Sequence, residues 1–311
     1  MMRSRASLVV VGFGALASCL TSVLAIAPLP QRAPVVLLDV AVEDADGHLV
    51  TGLTRDEFEI VTGGVVRPIE SFATGQERPL SLVLLFDVSA SMEARRKVVK
   101  NGVEKWFVDR LAPQDRVHVG SFARQTSIGP ALSGNPKALQ SAVGKALDPR
   151  EADTLGPSPI WDAIDLAVAA LARAEGRRAV LLVTDGRGTG NRLSPEDAAT
   201  RAAAEGVAVS VVGEDWEMTI RQDGNTGVIV RPGVALQRIA MTTGGLYLPD
   251  RSNPPAPGPI FERLLADLHG RYTLGFTPPV RDGKLHEIDV RVRRPGLKLR
   301  ARRQYSAPAE P

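Results

Sequence analysis

The sequence is short of several things, and each shortage narrows the field. It has one cysteine, Cys19, in 311 residues. An intrachain disulfide and a cysteine-based zinc site are therefore both excluded. Aromatic residues make up 5%, too few for the stacking platforms that bind single-stranded nucleic acid. Charge is nearly balanced, with 38 Lys and Arg against 35 Asp and Glu. A nucleic-acid surface needs a basic excess, so nucleic acid is not expected as a partner. The histidines, at positions 48, 118, 269 and 286, form no local pair. Neither a G-x-S-x-G elbow nor a Walker loop occurs. The only apolar run of bilayer length lies at the N-terminus, so no later membrane span is expected.

What is present is an ordinary globular composition, 44% hydrophobic and 23% charged. The length suggests about two domains and is enough to bury a core without staples. Arg3 and Arg5 precede a stretch without charge that lasts to Arg32. A basic start followed by an apolar run reads as an export signal over residues 1–27. Three fates are open. Leu16-Ala17-Ser18-Cys19 resembles a bacterial lipobox, in which Cys19 is lipidated. Val23 and Ala25 permit ordinary cleavage after Ala25. Residues 6–27 are also long enough to stay as an uncleaved anchor. Each fate puts the folded part outside the cytoplasm, in the periplasm, the cell envelope or the medium. Membrane contact is then expected only through a lipid or the N-terminal anchor.

Residues 33–78 read as a β-rich flank, with an Asp44-Ala-Asp46-Gly47 turn and a hairpin at Gly63-Gly64. From residue 80 the texture changes. Leu80–Phe86, Ala179–Thr184 and Val207–Val212 are apolar throughout, as strands buried on both faces are. Helical patterns alternate with them, at 92–111, 136–147, 160–174 and after the Ser194-Pro195-Glu196-Asp197 capping box. This predicts an α/β fold over 80–277: a doubly wound, mostly parallel sheet with helices on both faces. Met218–Arg231 reads as a hairpin around Asp223-Gly, and the five prolines between Pro249 and Pro259 as a loop. Residues 282–306 alternate as one hairpin turning at Pro295-Gly296. It is expected to pack with the N-terminal flank as a small β-rich domain.

The first buried strand ends in Asp87-Val-Ser89-Ala-Ser91, a D-x-S-x-S pattern, and the second in Thr184-Asp185-Gly186. In open α/β sheets ligands sit at the carboxyl ends of strands, near a switch in strand order. Two carboxylates and two hydroxyls are thus aimed at one edge. All are hard oxygen donors, which suit Mg²⁺, with Mn²⁺ or Ca²⁺ possible, and not zinc or copper. At these residues the sequence resembles the von Willebrand factor type A family. That resemblance implies a metal-ion-dependent adhesion site completed by a Thr just before a helix. Here the matching run is Ser158-Pro-Ile-Trp-Asp162-Ala, with Ser158 in the Thr position and Thr154 as the alternative ligand. The resemblance covers roughly residues 80–277. Gly52-Leu-Thr-Arg-Asp-Glu-Phe-Glu-Ile and Arg271-Tyr-Thr-Leu-Gly-Phe also look like a bacterial branch of the family.

The expected metal set is Asp87, Ser89, Ser91, Ser158 and Asp185. The resemblance implies binding of a protein partner whose Glu or Asp completes the metal shell, and no catalysis. Two alternatives stand beside it: a structural envelope protein with an unused metal site, and a metal-assisted hydrolase. Oligomeric state is not readable. Asp162 reads as a first-turn helix acid, and the Asp-x-Asp-Gly and Asp223-Gly segments as turns. The Lys and Arg of 271–303 read as a solvated strand face.

Overall fold

The computed structural model describes residues 35–75, 77–148, 156–214, 217–222, 226–251 and 258–309. The export signal, Cys19, Thr154, the tip of the Asp223-Gly turn and most of the proline-rich loop lie outside these residues. Among the described residues no helix is long and apolar enough to cross a membrane.

The N-terminal flank supplies β1 (Val36–Glu43), β2 (Phe58–Thr62), β3 (Val65–Arg67) and β4 (Ser71–Thr74). β1 alternates, burying Val36, Leu38, Val40 and Val42. The Asp44 carboxylate accepts the Asp46 and His48 amides at 3.0 and 2.9 Å, so the Asp-x-Asp-Gly segment is a turn. β2 and β3 join through Gly63 and Gly64, at φ 59° and 75°. Two successive positive φ values are what a type I′ hairpin needs, and glycine adopts them without steric penalty.

The α/β part follows. It holds β5 (Leu80–Asp87), α1 (Arg96–Trp106), β6 (Arg116–Phe122), β7 (Thr126–Ile128), β8 (Leu132–Ser133), α2 (Pro136–Ala146) and α3 (Ile160–Ala170). It continues with β9 (Arg177–Val183), α4 (Pro195–Ala204), β10 (Val207–Gly213), the β11–β12 hairpin (Met218–Gln222, Thr226–Val230), α5 (Pro232–Thr243), β13 (Tyr247–Pro249) and α6 (Gly258–His269). The seven-stranded central sheet has the order β13-β10-β9-β5-β6-β7, with β8 also on β6. β13 through β6 are parallel; β7 and β8 run antiparallel at the edge. Alternate residues of each inner strand face opposite cores. Leu82, Leu84 and Phe86 of β5 pack with α1, α2 and α6; Val83 and Leu85 pack with α3, α4 and α5. This two-sided burial is why the strands read as unbroken apolar runs.

The C-terminal segment corrects two expectations. The strand at Tyr272–Phe276, β14, counted with the α/β part to residue 277, does not join the central sheet. It lies between β1 and β4 in the antiparallel sheet β17-β1-β14-β4. Nor do residues 282–306 form one hairpin at Pro295-Gly296. β15 (Leu285–Glu287) pairs with β18 (Gln304–Ser306), β16 (Asp289–Val292) with β2, and β17 (Lys298–Arg300) with β1. The apolar residues of β16 and β17, Val290 and Leu299, both enter one core with Leu38, Val40, Phe58, Ile60, Tyr272 and Phe276. That core is reached by pairing with the flank strands rather than with each other.

Contacts group residues 34–311 into one compact unit. The seam between flank and helices is ionic. Asp267 of α6 is bonded by Arg271, at 2.6 Å, and by Arg300 of β17, which also reaches Glu43 of β1 at 2.9 Å. Buried Arg177 donates to the Leu268 carbonyl and, at 2.8 Å, to that of Gly75. Arg293 and Arg294 pair with Glu59 and Glu57. Arg293, Arg294 and Arg300 of the basic C-terminal stretch are thus matched by acids brought from elsewhere in the chain.

Candidate metal centre

β5 and β9 are neighbours, but the chain leaves them toward opposite faces: from β5 to α1 on one side, from β9 to α4 on the other. Their carboxyl ends therefore flank a crevice at the switch in strand order. Asp87 is the last residue of β5 and is 1% exposed; Asp185 follows β9 and is 2% exposed. Both are held by the register of strands that are apolar along their whole length.

The Asp87 carboxylate is bonded on both oxygens. Oδ1 accepts the Ser89 amide at 3.0 Å and the Ser158 hydroxyl at 3.4 Å. Oδ2 accepts the Thr184 hydroxyl at 2.6 Å. Thr184 Oγ1 in turn accepts the Gly186 amide at 3.0 Å. Ser89 and Ser91 hydroxyls lie 3.2 Å apart. Buried Arg96 fixes their loop from behind, donating to the Val88 carbonyl at 2.5 Å and to that of Ser89 at 3.4 Å. Arg95 anchors the same segment to Glu214 at the end of β10. Asp185 Oδ1 accepts the Arg187 amide at 2.9 Å, and Arg187 Nε stands 3.5 Å from its Oδ2.

The electrostatics follow. Burial pushes the Asp87 carboxyl above the usual aspartate range; the Ser89 and Thr184 hydrogen bonds oppose the shift without cancelling it, and Asp185 adds repulsion. Burial likewise raises Glu214, with Arg95 opposing and Asp185 adding to the rise. The crevice is thus a place where negative charge is held at a cost that a divalent cation would relieve. The donor chemistry fits such an ion. The side chains that bond Asp87 offer hydroxyls, and Asp185 adds a second carboxylate; Mg²⁺, Mn²⁺ and Ca²⁺ prefer such oxygen ligands.

Of the five residues named from sequence, the structure joins Asp87 to Ser89 and Ser158, and Ser89 to Ser91, by direct hydrogen bonds. Asp185 comes beside them through Thr184 and acts on Asp87 through its charge. The role of Thr184 was missed; its signal was a hydroxyl just before Asp185 at the end of a doubly buried strand. Asp162 is in the first turn of α3, but its carboxylate also grips another loop, described below. Asp44, Asp46 and His48 have ligand atoms within 4.8 Å of one another, and the Asp44 oxygens there serve the turn.

Fold and crevice together define an α/β domain with a carboxylate–hydroxyl centre at its switch point. Residues 81–226 match the family model of the von Willebrand factor type A domain. Such a domain suggests a divalent-metal site. Among solved structures, an aerotolerance-related membrane protein from Bacteroides fragilis, carrying multiple mutations to serines, is 18% identical. The match covers 61% of this chain and 98% of that one, with a TM-score of 0.48. The conserved hypothetical protein BatB from Bacteroides thetaiotaomicron is 23% identical, with the same coverage and a TM-score of 0.48. Proximal thread matrix protein 1 of the mussel byssus, with a zinc-occupied MIDAS motif, is 19% identical over 67% of this chain and 49% of that one, with a TM-score of 0.49. No curated protein matches the chain.

Proposed function

We propose that this protein is an exported, metal-dependent binding module. Asp87, Ser89, Ser91, Ser158 and Asp185 would hold Mg²⁺, or Mn²⁺ or Ca²⁺ in its place, and a protein partner would add a Glu or Asp oxygen. The observation that carries this reading is the buried Asp87 carboxylate, whose bonded partners Ser89, Ser158 and Thr184 are all neutral. A divalent ion there supplies a positive centre for an outside oxygen. The chain's residues orient that centre and shield it, since four of the five side chains are largely withdrawn from water. The same reading puts the protein in the cell envelope or outside the cell, delivered by residues 1–27.

Binding is favoured over hydrolysis because the histidines are engaged elsewhere. His48 pairs with Asp44, His118 with the Gly129 carbonyl, His269 with Asp115 and His286 with Asp282. One observation favours a second reading, a structural envelope protein with an unused site: Arg187 already lies against Asp185. Titration calorimetry of the purified chain with MgCl₂ and MnCl₂ separates the two. Metal binding is expected to raise unfolding stability by about 2.7 kcal/mol at a hundredfold excess over Kd. EDTA and Asp87→Ala are each expected to abolish that gain. No heat at millimolar metal would favour the structural reading.

A further inference from the structure

The loop after β9 and the loop before α3 are built as one piece. α3 begins at Ile160 with Pro159 at its cap position, and no side-chain cap comes from that residue. The first-turn amides of a helix need outside acceptors. One comes from thirty residues downstream: Trp161 N donates to Asn191 Oδ1 at 2.7 Å. The exchange is reciprocal. The Asp162 carboxylate accepts the Arg192 amide at 3.1 Å, the Leu193 amide at 3.0 Å and Arg192 Nε at 3.1 Å. Ser158 itself closes the seam. Its carbonyl accepts the Thr189 amide at 2.9 Å, and its amide donates to Thr189 Oγ1 at 3.4 Å.

Packing leaves no slack. A methyl group at Gly188 would stand 2.6 Å from Ile160 Cδ1. One at Gly190, where φ is +72°, would stand 2.6 Å from Pro157 Cβ. Residues 188–193 therefore dock on 157–162 through backbone that approaches closer than any side chain permits. Asp185 leads into the first segment and Ser158 lies in the second.

We propose that Asp162, assisted by Asn191, is a positioning residue that fixes Ser158 relative to Asp185 and so sets the divalent-cation affinity of the centre. This rests on the metal reading above. The Arg192 side chain is mostly exposed, and an ion pair of that kind contributes little. The two backbone amides are what the carboxylate holds. Asp162→Asn keeps a carbonyl oxygen for them, whereas Asp162→Ala leaves them without an acceptor.

The test is calorimetric titration of the full chain with Mn²⁺ and Mg²⁺. Outer-shell partners of metal ligands typically carry ten- to a hundredfold in affinity. Asp162→Ala is accordingly expected to weaken both ions by about tenfold or more, and Asp162→Asn by about threefold or less. Asn191→Ala, which removes a single bond, is expected to weaken them in the same direction and by less. Asp197→Ala serves as control: it disrupts the capping box of α4, a structural loss that does not touch Ser158, and is expected to leave affinity unchanged. Wild-type affinity in Asp162→Ala, or equal weakening in Asp197→Ala, overturns the positioning role. Should Asp162→Ala not fold, unchanged affinity in Asn191→Ala overturns it. No binding by the wild type would remove the metal reading first, and this inference with it.

Discussion

Two aspartates are buried to the same degree in opposite surroundings. Asp87 and Asp267 are each 1% exposed. Burial pushes both carboxyls up. At Asp267 the Arg271 and Arg300 guanidinium groups outweigh that penalty and hold it below the usual aspartate range. At Asp87 the neighbours are hydroxyls, an amide and a second acid, and the carboxyl stays above that range. An acid closed off by arginines is finished as a structural element. An acid closed off by neutral donors keeps a demand for positive charge, and sits where strand order opens a crevice. The contrast separates the seam that holds the flank to α6 from the crevice to which the proposed function assigns a cation.

The largest expected effect tests the seam. Asp267→Ala leaves buried Arg271 and half-buried Arg300 without their shared carboxylate, and breaking a buried pair from one side typically costs about 3–5 kcal/mol. Urea unfolding in the presence of EDTA should show a loss of this size. A loss under about 1 kcal/mol, the range of surface pairs, would reduce the seam to one of those.

Acidity gives a second, smaller test of the same residue. Because the folded carboxyl lies below its unfolded value of about 3.9, the unfolded chain takes up the proton first as pH falls. Asp267 therefore contributes its full share of stability above that value. The share is lost as pH drops through the lower folded value. The wild type should lose stability more steeply than Asp267→Asn on acidification below about pH 4, measured as the urea midpoint against pH. Parallel curves would mean that the acid limb belongs to other carboxyls.

Much of this contrast was legible in the sequence on one side only. Leu80–Phe86 and Ala179–Val183 read as doubly buried strands because nothing in them faces water, so the acids that follow had to sit at a sheet end. Ser158 was named only through the family resemblance, as the residue in the position of the family's Thr before a helix. The docking of Thr189, Asn191 and Asp162 was not legible, because it depends on two loops meeting across thirty residues. The seam was hidden for a similar reason. Arg300 and Arg294 look like a solvated basic face until Glu43, Asp267 and Glu57 arrive from distant positions. Alternation in residues 285–305 reported which side of each strand is apolar. It carries no information on which edge the strand joins, so one hairpin was expected where β16 and β17 part to β2 and β1.

The smallest effect is the most discriminating, because its sign differs. Asp87→Asn keeps an oxygen to accept the Ser89 amide and removes a charge whose burial its neutral partners do not offset. Replacing a buried, uncompensated charge by a neutral group of the same shape relieves a desolvation penalty. In EDTA, the unfolding free energy of Asp87→Asn should therefore equal or exceed that of the wild type, by up to about 1 kcal/mol, a common size for gains at functional sites. With Mg²⁺ present the order should reverse, because only the wild type gains from the ion. If Asp87→Asn instead lost several kcal/mol in EDTA, as Asp267→Ala should, the two aspartates would be alike. Asp87 would then be a structural acid, and the crevice would lose its reason to bind a cation.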